Sequence, residues 1–321
     1  MKKYIKLIED KLSTFAFGNQ PSELYEPIRY ILSLGGKRIR PLLTLMTHQL
    51  FEESFEKSIY PALGVEVFHN FTLLHDDIMD NAPIRRGKQT VQEKWNSNIA
   101  ILSGDVMLVK VYDLFLKSGH PEISKILTKF NDCAAKVCEG QQYDMNFENR
   151  QFVSEIEYLK MIRLKTAVLI GFSVELGALI GGAEDKMCDQ LYDFGINIGM
   201  GFQLKDDLLD VYADTNKFGK QQGGDIISNK KTYLLIKAME KAEDKNKDEL
   251  MFWLHKKEFN SEEKVAAIIR IYNKLGIKEL TETKMNSYFN KGMGVFDSIE
   301  IGNAKKKALK DLSLKLIDRV K

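Results

Sequence analysis

Cysteine is scarce in this chain. There are three, Cys133, Cys138 and Cys188, and none has the C-x-x-C spacing of a zinc site. So small and odd a number excludes a disulfide framework and fits a reducing compartment, so a cytoplasmic location is expected. Proline is also scarce: there are six, the last is Pro121, and everything beyond it is free of the strongest helix breaker. An excess of charge of one sign is nearly absent: 47 Lys and Arg stand against 45 Asp and Glu, a formal net of +2. No global field therefore points to nucleic acid or to an anionic membrane surface. Long apolar runs are missing too. The best candidate, residues 166–183, is interrupted by Glu175 and by glycines, and a spanning helix needs about 20 apolar residues. A buried interior helix is expected there, with no stable membrane insertion. The segment Met1 to Asp10 mixes charge with apolar residues and has no signal-peptide core. Neither a G-x-x-x-x-G-K-[ST] phosphate loop nor a dinucleotide G-x-G-x-x-G is present, so nucleotide binding has no support.

What is present is helical periodicity. Apolar residues recur at helical spacing in Tyr25-Ile28-Ile31-Leu32 and Val106-Val109-Val111-Leu114. No run alternates as strands do, and no Asn-Gly or Asp-Gly turn occurs. The predicted class is all-α: a large helical bundle of about a dozen helices, residues 1–321 forming a single domain. Apolar residues at 44% and charged residues at 29% suit a globular core. Loops are expected at Gly18–Pro21, Gly35–Gly36, Asn81–Lys88, Ser118–Pro121, Gly181–Asp185 and Lys217–Asn229. The last follows an acidic cluster and would act as a lid. Residues 240–265 are densely charged and read as solvated helices without chemistry.

The strongest motif occurs twice. Asp76-Asp77-Ile78-Met79-Asp80 and Asp206-Asp207-Leu208-Leu209-Asp210 both read D-D-x-x-D within apolar, proline-free runs. The first and last aspartates of each are i and i+4 and share a helical face. Such carboxylates repel one another, and buried charge of one sign must be neutralised. Hard divalent cations suit the task, because Mg²⁺ prefers oxygen ligands and often completes its shell with water and phosphate. Gln203, Asp206, Asp210 and Asp214 fall near one face.

Cations gather in short glycine-containing segments: Lys37, Arg38 and Arg40 after Gly35-Gly36; Arg85, Arg86 and Lys88 after the first acidic cluster; Lys165-Thr166 at the start of the apolar helix; Lys220, Lys230 and Lys231 around the predicted lid. Alone, each is ordinarily a surface charge. Beside two metal sites they point to a substrate with more than one phosphate, since Arg pairs bidentately with phosphate and Lys supplies a point charge. His69 lies two helical turns before Asp76 and shares its face, as a phosphate donor would. His75 reads as a satisfied structural histidine.

The segments Gly35–Pro41, Leu74–Val91, Glu139–Asp144, Lys165–Phe172, Gly201–Asp214 and Gly219–Tyr233 resemble, in order and spacing, those of the trans-isoprenyl diphosphate synthases, which include the farnesyl and geranylgeranyl diphosphate synthases. The resemblance spans residues 35–235. It implies an all-α bundle around a central apolar cavity. It also implies head-to-tail condensation of isopentenyl diphosphate with an allylic diphosphate (dimethylallyl, geranyl or farnesyl), release of pyrophosphate, three Mg²⁺ ions and a homodimer.

Carried over residue by residue, the resemblance makes Asp76, Asp77, Asp80, Asp206, Asp207 and Asp210 the metal-binding set. It puts Lys37, Arg40, His69 and Arg86 on isopentenyl diphosphate. It puts Arg85, Lys165 and Lys220 on the allylic diphosphate, with Lys230 reaching it from across the lid. Thr166 and Gln203 lie along the allylic chain, where an oxygen dipole stabilises a cation. Thr72 and Phe71, four and five positions before Asp76, with Phe68 a turn further down, are the candidate floor that sets product length. One aromatic and no insertion in the first cluster resemble the short-chain type, C20 or C15. A long-chain polyprenyl synthase would share every catalytic residue. A terpene cyclase ordinarily carries one D-D-x-x-D and needs no second diphosphate site. A non-catalytic subunit would be expected to lose metal ligands or diphosphate cations, and this chain keeps both.

Overall fold

The computed structural model describes residues 1–213 and 223–317. Among them the chain is helix after helix, from Lys2–Thr14 to Asn303–Ile317, with one π-helical turn and one two-stranded ribbon. The all-α expectation holds. The described α-helices outnumber the dozen anticipated, because short ones such as Val91–Lys94 and Gly224–Ile227 carry too few residues to show periodicity.

Local sequence starts these helices where capping chemistry predicts. Asn96 accepts from Ile99 N–H, and Thr232 accepts from Leu235 N–H. Ser154 and Glu157 form a reciprocal capping box, and Asn260 accepts from both Glu262 and Glu263 N–H. Every residue from Ala167 to Ile180 is buried, as expected of the apolar run. Glu175 within it is met by Lys129 Nζ.

Spatial proximity of backbone segments divides the chain into two compact units. The first comprises residues 1–133, 172–192 and 300–309; the second comprises residues 134–171, 193–299 and 310–321. In the first, the long helix Glu56–Met79 packs against Ser97–Leu116 and Ile39–His48. Gly104 permits the close approach: a Cβ there would sit 2.2 Å from His75 Nε2. In the second, Tyr233–Lys241 packs against Ile277–Ser298, and the short helix Gly224–Ile227 packs against Ser261–Lys274.

Three expectations change. The Asn81–Lys88 loop contains an antiparallel ribbon, Ile84–Arg85 with Lys88–Gln89. Its turn is Arg86-Gly87, both left-handed at φ 52° and 75°. That is the geometry preferred in two-residue hairpins, reached without Asn-Gly. The described part of Lys217–Asn229 includes the helix Gly224–Ile227. Residues 240–265 are not wholly solvated, because Lys264 is fully buried.

Candidate active site

In the first unit the acidic cluster ends the 24-residue helix Glu56–Met79, with Asp80 as its C-cap. The helix dipole is negative there, so three carboxylates add to an already adverse field. The middle member is answered by the protein. Asp77 is buried, and Arg85 grips it, Nε lying 2.8 Å from both carboxylate oxygens and an Nη 2.7 Å from Oδ1. Burial pushes the Asp77 carboxyl up, and Arg85 opposes the shift. Asp76 is half-buried and Asp80 exposed.

The ribbon that supplies Arg85 also supplies Arg86, whose guanidinium lies against Gly36. A Cβ on Gly36 would come within 3.0 Å of it, and Gly36 holds φ 145°. The adjacent Arg38 is buried: it donates to Glu66 Oε1 at 2.6 Å and to the Leu32 carbonyl at 2.7 Å. Asn70 Nδ2 completes the carboxylate at 3.1 Å. Arg38 therefore serves the loop's fold, and Lys37, exposed, and Arg40, half-buried, flank it. His69 sits within electrostatic reach of four arginines. Burial first, then Arg40, Arg86, Arg85 and Arg38, hold its imidazole well below the usual range. A neutral His69 amid arginines can still donate one ring N–H. His75 behaves as a structural residue, its ring 4.6 Å from Phe71 and Nε2 3.4 Å from the Ile101 carbonyl.

Below Asp76 lies an aromatic stack. Phe71 meets Phe68 at 5.6 Å, and Phe68 meets Phe130 edge-on at 5.1 Å. Phe130 in turn packs on Phe115 and Phe172. Thr72 Oγ1 donates to the His69 carbonyl at 2.8 Å.

In the second unit the other acidic cluster also closes a long helix, Asp185–Tyr212. Again the middle aspartate is buried and held by protein groups. Tyr158 OH donates to Asp207 Oδ2, and Gln203 Nε2 donates to Oδ1 at 3.1 Å. Thr166 Oγ1 donates to Gln203 Oε1 at 3.0 Å, so Thr166, Gln203 and Asp207 form one chain. Burial, then the Asp225 charge, pushes the Asp207 carboxyl up. Asp210 Oδ2 accepts from Asp225 N–H at 3.0 Å. Lys165 pairs with Asp144 at 2.7 Å. Lys165 and Thr166 stand on the π-helical turn Arg163–Ala167 and are partly exposed while their neighbours Leu164 and Ala167 are buried. Such wide turns are frequent at functional sites.

Lys230 and Lys231 diverge. The Lys230 charge bears on Asp207, and Lys230 lines a small cavity with Val211 and Asp225. Lys231 Nζ donates to the Asn229 carbonyl and lines a different groove with Phe152 and His255. Lys220 and Asp214 lie outside the described residues.

Sequence reasoning did not single out Glu66, Asp144, Tyr158 or Asp225. Glu66 left a trace, a lone carboxylate inside Val65-Glu66-Val67-Phe68. Asp225 sat in a predicted loop, and its role depends on the backbone returning to Asp210.

The donor set fits a hard divalent cation: all candidates are carboxylates. Among the described residues no three Asp, Glu, His or Cys side chains gather around one point. A cation here would thus take one or two carboxylates and draw the rest of its shell from water and phosphate.

The depressed His69 value gives a testable consequence. In the unfolded chain His69 binds a proton near pH 6.5, and in the folded chain it does so only at lower pH. Stability therefore falls as pH drops below 6.5, by up to about 1.4 kcal/mol per pH unit for this one group. The difference in urea-unfolding free energy between His69→Gln and the parent should shift in favour of the variant over that range. A constant difference from pH 7 to pH 5 would contradict the placement of His69.

Comparison with known proteins agrees with this geometry. The polyprenyl synthetase family model matches residues 21–272. A geranylgeranyl pyrophosphate synthase of Geoglobus acetivorans is 40% identical over 242 residues, covering 75% of this chain and 76% of the relative. A short chain isoprenyl diphosphate synthase of Methanothermobacter thermautotrophicus is 36% identical over 280 residues, covering 87% and 85%. A crystal structure of a geranylgeranyl pyrophosphate synthase superposes with a TM-score of 0.92 at 42% identity, covering 99% of this chain and 97% of that one. The chain belongs to the polyprenyl synthetase family.

Proposed function

We propose that this protein is a short-chain trans-prenyl diphosphate synthase making a C20 product. It joins isopentenyl diphosphate to an allylic diphosphate and releases pyrophosphate. The observation that carries the reading is the repeated carboxylate arrangement: two D-D-x-x-D clusters, each at the C-terminal end of a long helix, each with its middle aspartate fixed by the protein. Names of relatives at 36–40% identity support short-chain prenyl synthesis.

In the proposed reaction the allylic C1–O bond breaks and its electron pair leaves with pyrophosphate. The isopentenyl double bond attacks the allylic cation, and a proton then passes from the new chain to pyrophosphate. Mg²⁺, when bound by Asp76, Asp80, Asp206 and Asp210, would neutralise charge on the leaving diphosphate. The chain's own cations share that load: Arg85, Lys165, Lys220 and Lys230 toward the allylic diphosphate; Lys37, Arg40, Arg86 and the neutral His69 toward isopentenyl diphosphate. Asp144 orients Lys165. Asp207 fixes Gln203, which fixes the Thr166 hydroxyl, so both oxygen dipoles are set before any cation forms. The Phe71–Phe68–Phe130 stack would end the chain-binding space at about C20.

Four continuous helices, Ile123–Glu148, Val168–Ile180, Asp185–Tyr212 and Asn303–Ile317, contribute residues to both compact units, which supports one folding domain. The helix Ser97–Leu116 leaves Ile101, Leu102, Val109 and Leu116 exposed, the last three by more than half. Such an apolar face supports a homodimer. Among the described residues no helix is long and apolar enough to cross a membrane; the reading places the enzyme in the cytoplasm.

Incubated with isopentenyl diphosphate and farnesyl diphosphate, the protein should yield a C20 diphosphate by mass spectrometry. Turnover should stop with EDTA and return with Mg²⁺, and Asp76→Ala or Asp206→Ala should lower it by several orders of magnitude. No consumption of isopentenyl diphosphate with any allylic primer would refute the reading. Phe71→Ala should lengthen the product; an unchanged product distribution removes Phe71 from the floor. Light scattering should give twice the chain mass, and a monomer would reject the dimer.

A further inference from the structure

Lys264 is fully buried within the helix Ser261–Lys274. Burying a charge is costly, and a lysine is almost never wholly enclosed unless its ammonium is answered. Its described partners are two uncharged oxygens and a ring. Nζ donates to the Ile227 carbonyl at 3.1 Å and to Asn229 Oδ1 at 2.7 Å, and it lies 4.1 Å above Phe259. Burial pulls the amine's pKa down. A buried lysine of this kind is a fastening, and what it fastens is the segment Gly223–Thr232.

That segment is held at two places. At its start, Gly223 N–H donates to the Asp210 carbonyl at 2.8 Å, and Asp225 N–H donates to Asp210 Oδ2 at 3.0 Å. At its end, Asn229 adopts a left-handed φ of 56°, uncommon outside glycine. Its Nδ2 donates to the Leu254 carbonyl at 3.1 Å, so both ends of the amide are used, one by Leu254 and one by Lys264. The next residue is Lys230, whose N–H donates to the Asp225 carbonyl at 2.9 Å and whose charge acts on Asp207. The position of the Lys230 side chain thus follows from the conformation of Asn229.

We infer that Lys264 is a positioning residue for the condensation, pinning Asn229 so that Lys230 stands over the second aspartate cluster. The inference rests on the proposed role of Lys230 at the allylic diphosphate. Replacing Lys264 by an apolar side chain leaves the Ile227 carbonyl and Asn229 Oδ1 without their lysine donor, and the far end of the segment keeps the Asn229 Nδ2 bond to Leu254 but loses the lysine's hold.

The test uses the full chain with four changes: Lys264→Met, Asn229→Gly, Lys230→Ala, and the Lys264→Met, Lys230→Ala double variant. Asn229→Gly removes the lysine's nearer partner without emptying the buried position, and glycine tolerates the positive φ. Displacing a charged group by about 1 Å costs roughly 10²-fold. Lys264→Met and Asn229→Gly should therefore lower kcat/KM for the allylic diphosphate by about 10- to 100-fold, while KM for isopentenyl diphosphate stays within about twofold. The double variant should be no worse than Lys230→Ala, because the two residues act as one unit. Should Lys264→Met fail to fold, Asn229→Gly alone decides. If Lys230→Ala is impaired while folded Lys264→Met or Asn229→Gly matches the parent, or if the losses multiply in the double variant, the positioning role is overturned. If Lys230→Ala itself matches the parent, the reading of Lys230 fails, and the role of Lys264 falls with it.

Discussion

Six carboxylates at the negative ends of two long helices are the constraint that the rest of the site answers. A helix C-terminus favours cations within its last turn. Here it receives Asp76, Asp77 and Asp80 in one unit and Asp206, Asp207 and Asp210 in the other. No folding benefit comes from that placement, so it must be compensated. The protein supplies part of the compensation, and in both clusters the middle member receives a share of it. The second aspartate of D-D-x-x-D lies about 100° round the helix from the first, which turns it inward. Asp77 and Asp207 are both buried, at 3% and 5% exposure. One is paired with a guanidinium, and the other is hydrogen-bonded by a phenol and an amide. The outer aspartates keep more solvent access, which is where a hydrated cation can reach them.

The cations are presented with little freedom. Arg85 and Arg86 sit on a ribbon whose turn needs two consecutive left-handed residues, and Arg86 then rests on Gly36, where a side chain would be strained at φ 145° and would crowd the guanidinium. Arg38 and Glu66 form a buried pair under the Gly35–Arg40 segment. Buried pairs contribute little net stability, but removing either member strands a charge, so the geometry they fix is hard to relax. Rigidity at this point matters because electrostatic stabilisation works only if donors are set before charge develops.

The sequence revealed what depends on local spacing and hid what depends on the chain returning on itself. Helices were legible because periodicity and caps are written within a few residues. The acidic clusters were legible because i and i+4 are neighbours on any helix. The Arg86-Gly87 hairpin was missed because arginine is a poor marker of positive φ. Glu66, Tyr158, Asp144 and Asp225 were missed because each acquires meaning only through a partner 15 to 49 residues away: Asp225 through Asp210, Asp144 through Lys165, Glu66 through Arg38, Tyr158 through Asp207. Lys264 was read as solvated because its neighbours are charged, yet one face of its helix is apolar and carries it inward with Val265 and Ile268.

If the aromatic stack is the floor of the proposed chain-binding space, product length is a property of packing more than of any one ring. Phe71 touches Phe68, Phe68 touches Phe130, and Phe130 is wedged by Tyr112, Phe115 and Phe172. Edge-to-face pairs of this kind hold one another's rotamers, and interiors at crystal-like density transmit a displaced ring to its neighbours. Phe68, at 1% exposure, is clamped from both sides, whereas Phe71, at 8%, is the outermost ring of the stack. A change at the outermost ring alters depth with the least rearrangement behind it. A change at Phe68 or Phe130 must instead be absorbed by the core that also positions the helix carrying Asp76. On the proposed reading, depth and the geometry of the first aspartate cluster are therefore separable at Phe71 and coupled one turn below it.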